Sequence, residues 1–362
     1  MRGVAGSTRE ACIVPEDRSL LPFHLLPLAV VALAGAMLSG CSAPSELGAE
    51  RARVAGRTYV VTGASSGFGR GVAVKLGTYG ANVVLAARRG AVLEEVAAEV
   101  RAGGGQALVV PVDVADEAAV ERLARAAVER FGRIDVWINN AAVASIGRFE
   151  EIPVADHARI VDVNLKGAIF GTHAAIRQFR RQGGGVVVNI SSVEGHVPMA
   201  YHASYASTKA ALLALGGAIN EEMRLQRTST IKVANVLPWA VDTPFWDHAG
   251  NYTGRQSRVA TMDGPEEVVD SIIWVSLHPV QEYSVGWKAR GAVLGSQVWP
   301  SLARGLAGDL VHGSQMEDAP PGPVTAGSVH QPVPQGTGVD GGVRARMEAE
   351  REARRGAGAA GR

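Results

Sequence analysis

From Thr58 onward the apolar residues fall into short β-branched runs separated by longer stretches with helical spacing. The runs are TYVVT (58–62), VVLAA (83–87), ALVVPV (107–112), IDVWI (134–138), VVVNI (186–190) and IKVANVL (231–237). They are apolar at consecutive positions rather than alternating, which is how strands read when helices cover both faces of a parallel sheet. Between them, 90–102 and 116–131 place apolar residues at helical spacing, and 165–181 and 205–226 have helix length. The alternation predicts an α/β fold, a doubly wound parallel sheet in a single domain.

Both ends depart from this texture. Residues 20–38 carry no charge but are interrupted by Pro22, His24 and Pro27. A spanning helix needs ~20 apolar residues and a signal-peptide core ~7–15, so length permits either. Arginines flank the run on both sides and do not orient it. The run closes on LSGC, Leu38 to Cys41, which resembles the lipobox of a bacterial lipoprotein, with lipidation expected at Cys41. Three readings stay open: a lipoprotein, an uncleaved anchor with the domain facing the cytosol, and a start misassigned upstream of Met37. At the other end, 317–342 hold five prolines and six glycines without apolar periodicity, and the last twenty residues are charged and Ala-rich. The expected layout is a leader and linker over 1–54, a catalytic domain over 55–310 and a disordered tail over 311–362.

Composition narrows the function classes. The net charge is +1 with the charges scattered, so no field points to nucleic acid. Two cysteines, Cys12 and Cys41, both precede the domain and exclude a disulfide framework or thiolate metal site within it. Nine histidines show no zinc-binding spacing, and no metal is expected.

The chemistry lies in the connections. TGASSGFG follows the first strand and opens a helix. Gly63 allows a tight turn, Gly67 lets the backbone approach a pyrophosphate, and Gly69 allows close packing of helix on strand. Where an NAD site carries Asp or Glu at the end of the second strand, this chain has Ala86-Ala87 followed by Arg88-Arg89. Guanidinium groups without a carboxylate favour a 2′-phosphate, so the expected cofactor is NADP(H). In SYASTK, Tyr205 and Lys209 lie four apart at the head of a helical stretch and share one face. A phenol of pKa ~10 shuttles protons poorly at neutral pH, and a nearby ammonium lowers that value by ~1–3 units. Upstream, NISSVEG offers Ser192 to hydrogen-bond a substrate carbonyl. NNAA (Asn139–Ala142) ends the fourth strand, VDVNLKG supplies Asn164, and Asp113 and Val114 end the third.

Together, TGASSGFG, PVDV, NNAA, VNLKG, NISS, SYASTK and LPWAVDTP, in this order, resemble the short-chain dehydrogenase/reductase family over residues 55–280. The glycine spacing is similar to that of its compact branch. The resemblance implies a Rossmann-like fold and an NADP(H)-dependent oxidoreductase that interconverts alcohol and carbonyl. It implies Tyr205 as general acid/base, Lys209 lowering its pKa and holding the nicotinamide ribose, Ser192 orienting the carbonyl, and Asn164 holding a relay water. It also implies Ser65, Ser66, Phe68 and Pro238 at the cofactor, Asp113 and Val114 at the adenine, Asn140 and Ala141 at the adenosine side, and Val241 and Thr243 at the carboxamide and diphosphate. A homo-oligomer is expected by the same analogy.

The chain departs from the family pattern in three places. Trp239 follows Pro238 where glycine is usual, Glu194 replaces a small residue after the serine segment, and the usual last strand is missing. Asp340-Gly341-Gly342 reads as coincidence. Residues 242–254 are expected to form a substrate lid, with Phe245 and Trp246 marking a small apolar alcohol or carbonyl substrate beside Ser192, Glu194 and Trp239. Residues 284–308 read as a peripheral helix on the substrate lobe, with membrane contact as the other reading. The rival functional readings are a non-catalytic NADP(H)-binding scaffold or sensor, in which Trp239 fills the pocket, and a lipidated surface protein.

Overall fold

The computed structural model describes residues 47–360; the 20–38 run, Met37 and Cys41 lie outside them. Seven parallel strands form the sheet: β1 (Thr58–Thr62), β2 (Asn82–Ala87), β3 (Gln106–Pro111), β4 (Val136–Asn139), β6 (Gly185–Ile190), β7 (Ile231–Leu237) and β9 (Glu282–Ser284). Their order is β3-β2-β1-β4-β6-β7-β9. Two short strands, β5 (Ser145–Ile146) and β8 (Gly250–Asn251), pair separately. The sheet order reverses between β1 and β4, which opens a crevice at their carboxyl ends.

Helices cover both faces, as consecutive apolar strand residues require. Tyr59, Val61, Val83 and Leu85 pack under α2 (Gly67–Thr78), α3 (Gly90–Ala102) and α9 (Glu266–Leu277). Val60, Val84, Trp137 and Val187 pack under α4 (Glu117–Phe131), α6 (Gly167–Gln182) and α7 (Ala203–Leu225). Helix boundaries have local causes. The Asp116 carboxylate caps α4 by accepting the Ala119 N–H at 3.2 Å, and Gly132, at φ 79°, ends it. Preceding α2, α1 (Leu47–Val54) buries Val54, and Arg53 donates to the Leu277 carbonyl at 3.2 Å, so part of the expected linker docks on the domain.

A third apolar cluster, around Met199, Trp246, Val259, Met262 and Val311, builds a lobe above the crevice. It takes in α8 (Phe245–His248) from the expected lid. Residues 284–308 form two helices rather than one, α10 (Gly286–Val298) and α11 (Pro300–Val311), because Pro300 cannot continue α10 and starts α11 instead. Ala289, Ala307 and Val311 face the lobe, while Trp287, Trp299, Leu302 and Leu306 are exposed. No helix among the described residues is long and apolar enough to cross a membrane.

Two expectations are corrected here. The strand missing from the sequence pattern is β9, three residues long and too short to show an apolar run. The tail expected to be disordered is laid along the domain. Residues 312–317 continue α11, Thr325 pairs with Asn251, and Val329 is fully buried in the cluster beneath α4 and α6. Burying one such valine stabilises by roughly 1.5–3 kcal/mol. The final helix, α12 (Val343–Ala360), buries Val343 and Met347. Its start is capped by Asp242, which accepts the Val343 and Arg344 N–H groups at 2.9 and 2.7 Å. Composition missed this segment because most of its bonds are made by backbone carbonyls.

Candidate active site

The glycine turn links β1 to α2 at the crevice. Gly63 has φ 68°, and a Cβ there would come within 2.8 Å of Asn140 Nδ2 and 2.9 Å of Ala141 Cα. A Cβ on Gly69 would lie 2.3 Å from the Gly63 carbonyl oxygen. Gly67, at φ 54°, is different: a Cβ there would meet only the Thr243 side chain, at 3.5 Å, and the Gly67 N–H bonds the Gly338 carbonyl at 2.9 Å. Asn140 ties β4 to the turn, donating from Nδ2 to the Thr62 carbonyl at 2.9 Å while its N–H bonds Thr62 Oγ1 at 3.0 Å.

One cleft gathers every residue expected at the cofactor or substrate except Gly69 and Asn164. Its cavity volume is about 210 Å³, and it opens to solvent. Gly69 acts through packing alone. Asn164 sits in a π-helical turn, Asp162–Lys166, its Oδ1 accepting the Val143 N–H at 2.8 Å and its Nδ2 donating to the Val143 carbonyl at 2.9 Å. A separate void of about 10 Å³ touches Asn164, Ile190 and Lys209. That is the space of one water.

Tyr205 and Lys209 project from the first turns of α7, and Ser192 follows β6. Lys209 Nζ donates to the Ile190 carbonyl at 2.7 Å and lies 5.2 Å from the Tyr205 ring centroid. Burial pushes the lysine down to about 8. The Tyr205 phenol departs from expectation: burial, and next the Glu194 charge, hold it above its ordinary value, while a hydrogen bond with Ser192 works in the opposite direction. The ammonium lies over the ring face, and its effect does not overcome desolvation.

Glu194 is 7% exposed. Its carboxylate meets Nδ1 of buried His202 at 3.1 Å. The sequence reading missed His202, which is set eight residues away across a loop. Trp239 does not fill the pocket: its indole N–H bonds the Thr261 carbonyl at 3.0 Å, and the ring forms a wall. Phe245 packs on Tyr205 with ring centroids 5.4 Å apart, and Trp246 is buried, donating to the Val241 carbonyl at 2.8 Å.

At the other end of the cleft, Arg89 donates from Nε and Nη2 to Ser65 Oγ at 3.2 and 3.0 Å, and from Nη2 to Ser66 Oγ at 3.0 Å. Its Nη1 donates to the Val333 and Gln335 carbonyls, both at 3.2 Å. Arg88 donates to the His330 and Ser328 carbonyls at 2.9 and 2.6 Å. Asp113 pairs with Arg159 and accepts the Ala115 N–H at 3.0 Å. Ser328, Pro332 and Val333, all from the tail, line this end, and nothing in the sequence pattern marked them. Among the described residues no cluster is suited to a metal ion.

Known proteins resemble this chain in sequence and fold. The sequence model described as "short chain dehydrogenase" matches residues 57–252. The uncharacterized oxidoreductase YxnA of Bacillus subtilis is 32% identical over 270 residues, 74% of this chain and 76% of that one. The 3beta-hydroxysteroid dehydrogenase 1 of Eggerthella lenta is 32% identical over 234 residues, 61% of this chain and 87% of its own. Among solved structures, an alcohol dehydrogenase from Thermococcus sibiricus complexed with 5-hydroxy-NADP has a TM-score of 0.54 at 26% identity, covering 63% of this chain and 95% of its own. A 3-ketoacyl-(acyl-carrier-protein) reductase from Brucella melitensis complexed with NADH has a TM-score of 0.55 at 26% identity, covering 64% and 97%. With its reversed parallel sheet, its glycine turn and the matched span, the chain belongs to the short-chain dehydrogenase family and is an oxidoreductase of that family.

Proposed function

We propose that the protein is an NADP(H)-dependent oxidoreductase that interconverts a small apolar alcohol and the corresponding carbonyl compound. The observation that carries this reading is one cleft holding Ser192, Tyr205 and Lys209 at one end and the glycine turn with Arg88 and Arg89 at the other. The residues fit the family's nicotinamide cofactor once the tail carbonyls that now occupy them give way: Gly67 adds no side chain to the cleft, and Ser65, Ser66, Arg88 and Arg89 carry donors where a 2′-phosphate would lie. Burial lowers the pKa of both guanidiniums, which favours an anion beside them. The alcohol dehydrogenase and hydroxysteroid dehydrogenase named above support alcohol and carbonyl chemistry.

When bound, the nicotinamide cofactor would supply hydride transfer to or from the substrate carbon. This chain does the rest. The Ser192 hydroxyl donates to the substrate oxygen and supports the charge that develops there. The Tyr205 phenol gives its proton to that oxygen in reduction and takes it back in oxidation. Its raised pKa in the free site keeps it protonated and ready to donate at neutral pH. Lys209, held by the Ile190 carbonyl, faces the void beside Asn164, and a water there would link it to a proton supply. Phe245, Trp246 and Met199 exclude water and select apolar substrates.

Because reduced nicotinamide is replenished inside cells, the reading favours a cytosol-facing domain, and lipid found on Cys41 would overturn that. NADPH oxidation with a panel of carbonyl compounds tests the mechanism. Tyr205→Phe is expected to lose about 10²–10⁴-fold in rate while still binding NADPH. Equal rates for the two chains would refute it.

A further inference from the structure

The segment 328–338 lies across the cleft as a strap, and it is held by donors that would otherwise face an anion. Arg88 bonds the carbonyls of Ser328 and His330, and Arg89 those of Val333 and Gln335. Arg159 bonds Val329, Arg70 bonds Thr337, and the Gly67 N–H of the glycine turn bonds Gly338 at 2.9 Å. With Ser65 and Ser66 taking the remaining donors of Arg89, all five of its N–H groups are engaged.

The composition of the strap suits this use. Pro332 and Pro334 have no N–H, so this stretch presents acceptors with few competing donors. Between buried Val329 and α12 only Val333 and Val339 are apolar, so little hydrophobic burial holds the strap, and its bonds to arginine carry the placement. Both ends are anchored, by Val329 in the core and by the Asp242 cap on α12. A released strap therefore stays tethered and rebinds.

We propose that this strap is a specificity latch read by the cofactor's 2′-phosphate. The inference rests on the reading of Arg88 and Arg89 as the 2′-phosphate partners. A carbonyl offers the guanidinium a dipole, whereas a phosphate offers a charge of about −2 and hydrogen bonds about twice as strong. NADP(H) therefore displaces the strap from Arg88 and Arg89. NAD(H), whose ribose hydroxyl is neutral, gains nothing over the carbonyls and leaves the strap on both arginines, while the diphosphate that both cofactors carry competes with Gly338 for the Gly67 N–H. A ligand shifts a two-state equilibrium only by its differential affinity, so the 2′-phosphate alone releases the strap from Arg88 and Arg89.

Two measurements on the full chain test this. Proteolytic cleavage within residues 330–338 is expected to speed up when NADPH is added and to stay unchanged with NADH. Slower cleavage with NADPH, or the same response to both cofactors, would show a lid closing over bound cofactor and would overturn the latch. In the second, residues 330–338 are replaced by a Gly-Ser segment of equal length, which keeps Val329 and the α12 cap. The variant is expected to bind NADPH about tenfold more tightly or better, because no strap has to be displaced, with NADH affinity changed by less than about threefold. Weaker NADPH binding, or an equal gain for both cofactors, again overturns it. Binding of neither cofactor to either chain would instead refute the cofactor reading itself, and the latch with it.

Discussion

Lys209 shows how a functional side chain weighs on the fold that holds it. Its ammonium is 3% exposed, and burial brings it to about 8 from 10.5. Below about pH 8 the group is charged in both folded and unfolded chains, so the full cost of burying the charge is present. As pH rises from 8 to 10.5 the folded chain sheds the proton first and the cost fades. Lys209→Met is therefore expected to stabilise the protein at pH 7 by about 2 kcal/mol, after allowing for the lost bond to Ile190, with the gain shrinking towards pH 10.5. Thermal unfolding of both chains across that range checks the sign, and a less stable variant at pH 7 contradicts it. Arg89→Ala, in turn, is expected to weaken NADPH about tenfold or more and NADH much less, as titration of each cofactor would show. The Tyr205 and Lys209 pair was legible because residues four apart must share a helix face. Glu194 and His202 were not, since only the path of the loop between them brings the two together.

At the scale of elements, three asparagines join the strands on the side that bears the site. Asn139, Asn189 and Asn235 stand in register on β4, β6 and β7. Asn139 donates to Asn189 Oδ1 at 2.9 Å, and Asn189 donates to Asn235 Oδ1 at 3.1 Å. All three are buried. Asn189→Ala breaks both links and is expected to cost about 2 kcal/mol, because Asn235 Oδ1 loses its donor in a dry interior; urea unfolding measures this. An unchanged midpoint would show that the ladder contributes nothing. Asp242→Ala removes two cap bonds and is expected to cost about 1–2 kcal/mol, with faster hydrogen exchange at the start of α12 than elsewhere. Six of the seven strands of the sheet were legible from consecutive apolar residues, each to within two residues at either end. The asparagine ladder was present as one Asn near the end of each of three runs, but register decides whether such residues meet. β9 escaped because a three-residue edge strand carries too few side chains to make a pattern.

For the whole molecule, a cofactor that binds only the folded chain must raise its stability. At about one hundred times its Kd, NADPH is expected to add about 2.7 kcal/mol, and at equal concentration it should raise Tm more than NADH does. Equal shifts would contradict the preference for a 2′-phosphate. The residues that define the family and its chemistry act through neighbours close in the chain: glycines within one turn, two side chains four apart on a helix, an arginine pair directly after a strand. Local geometry alone dictates what they do, so the sequence by itself determined the parallel α/β fold, the glycine turn and the candidate catalytic pair. The course of the tail was settled at another level. Arg88 meets the Ser328 carbonyl across 240 positions of chain, through a backbone group that every residue carries. Such a contact leaves no signature in residue type or spacing, and only the tertiary structure could place the strap on the cofactor end of the cleft.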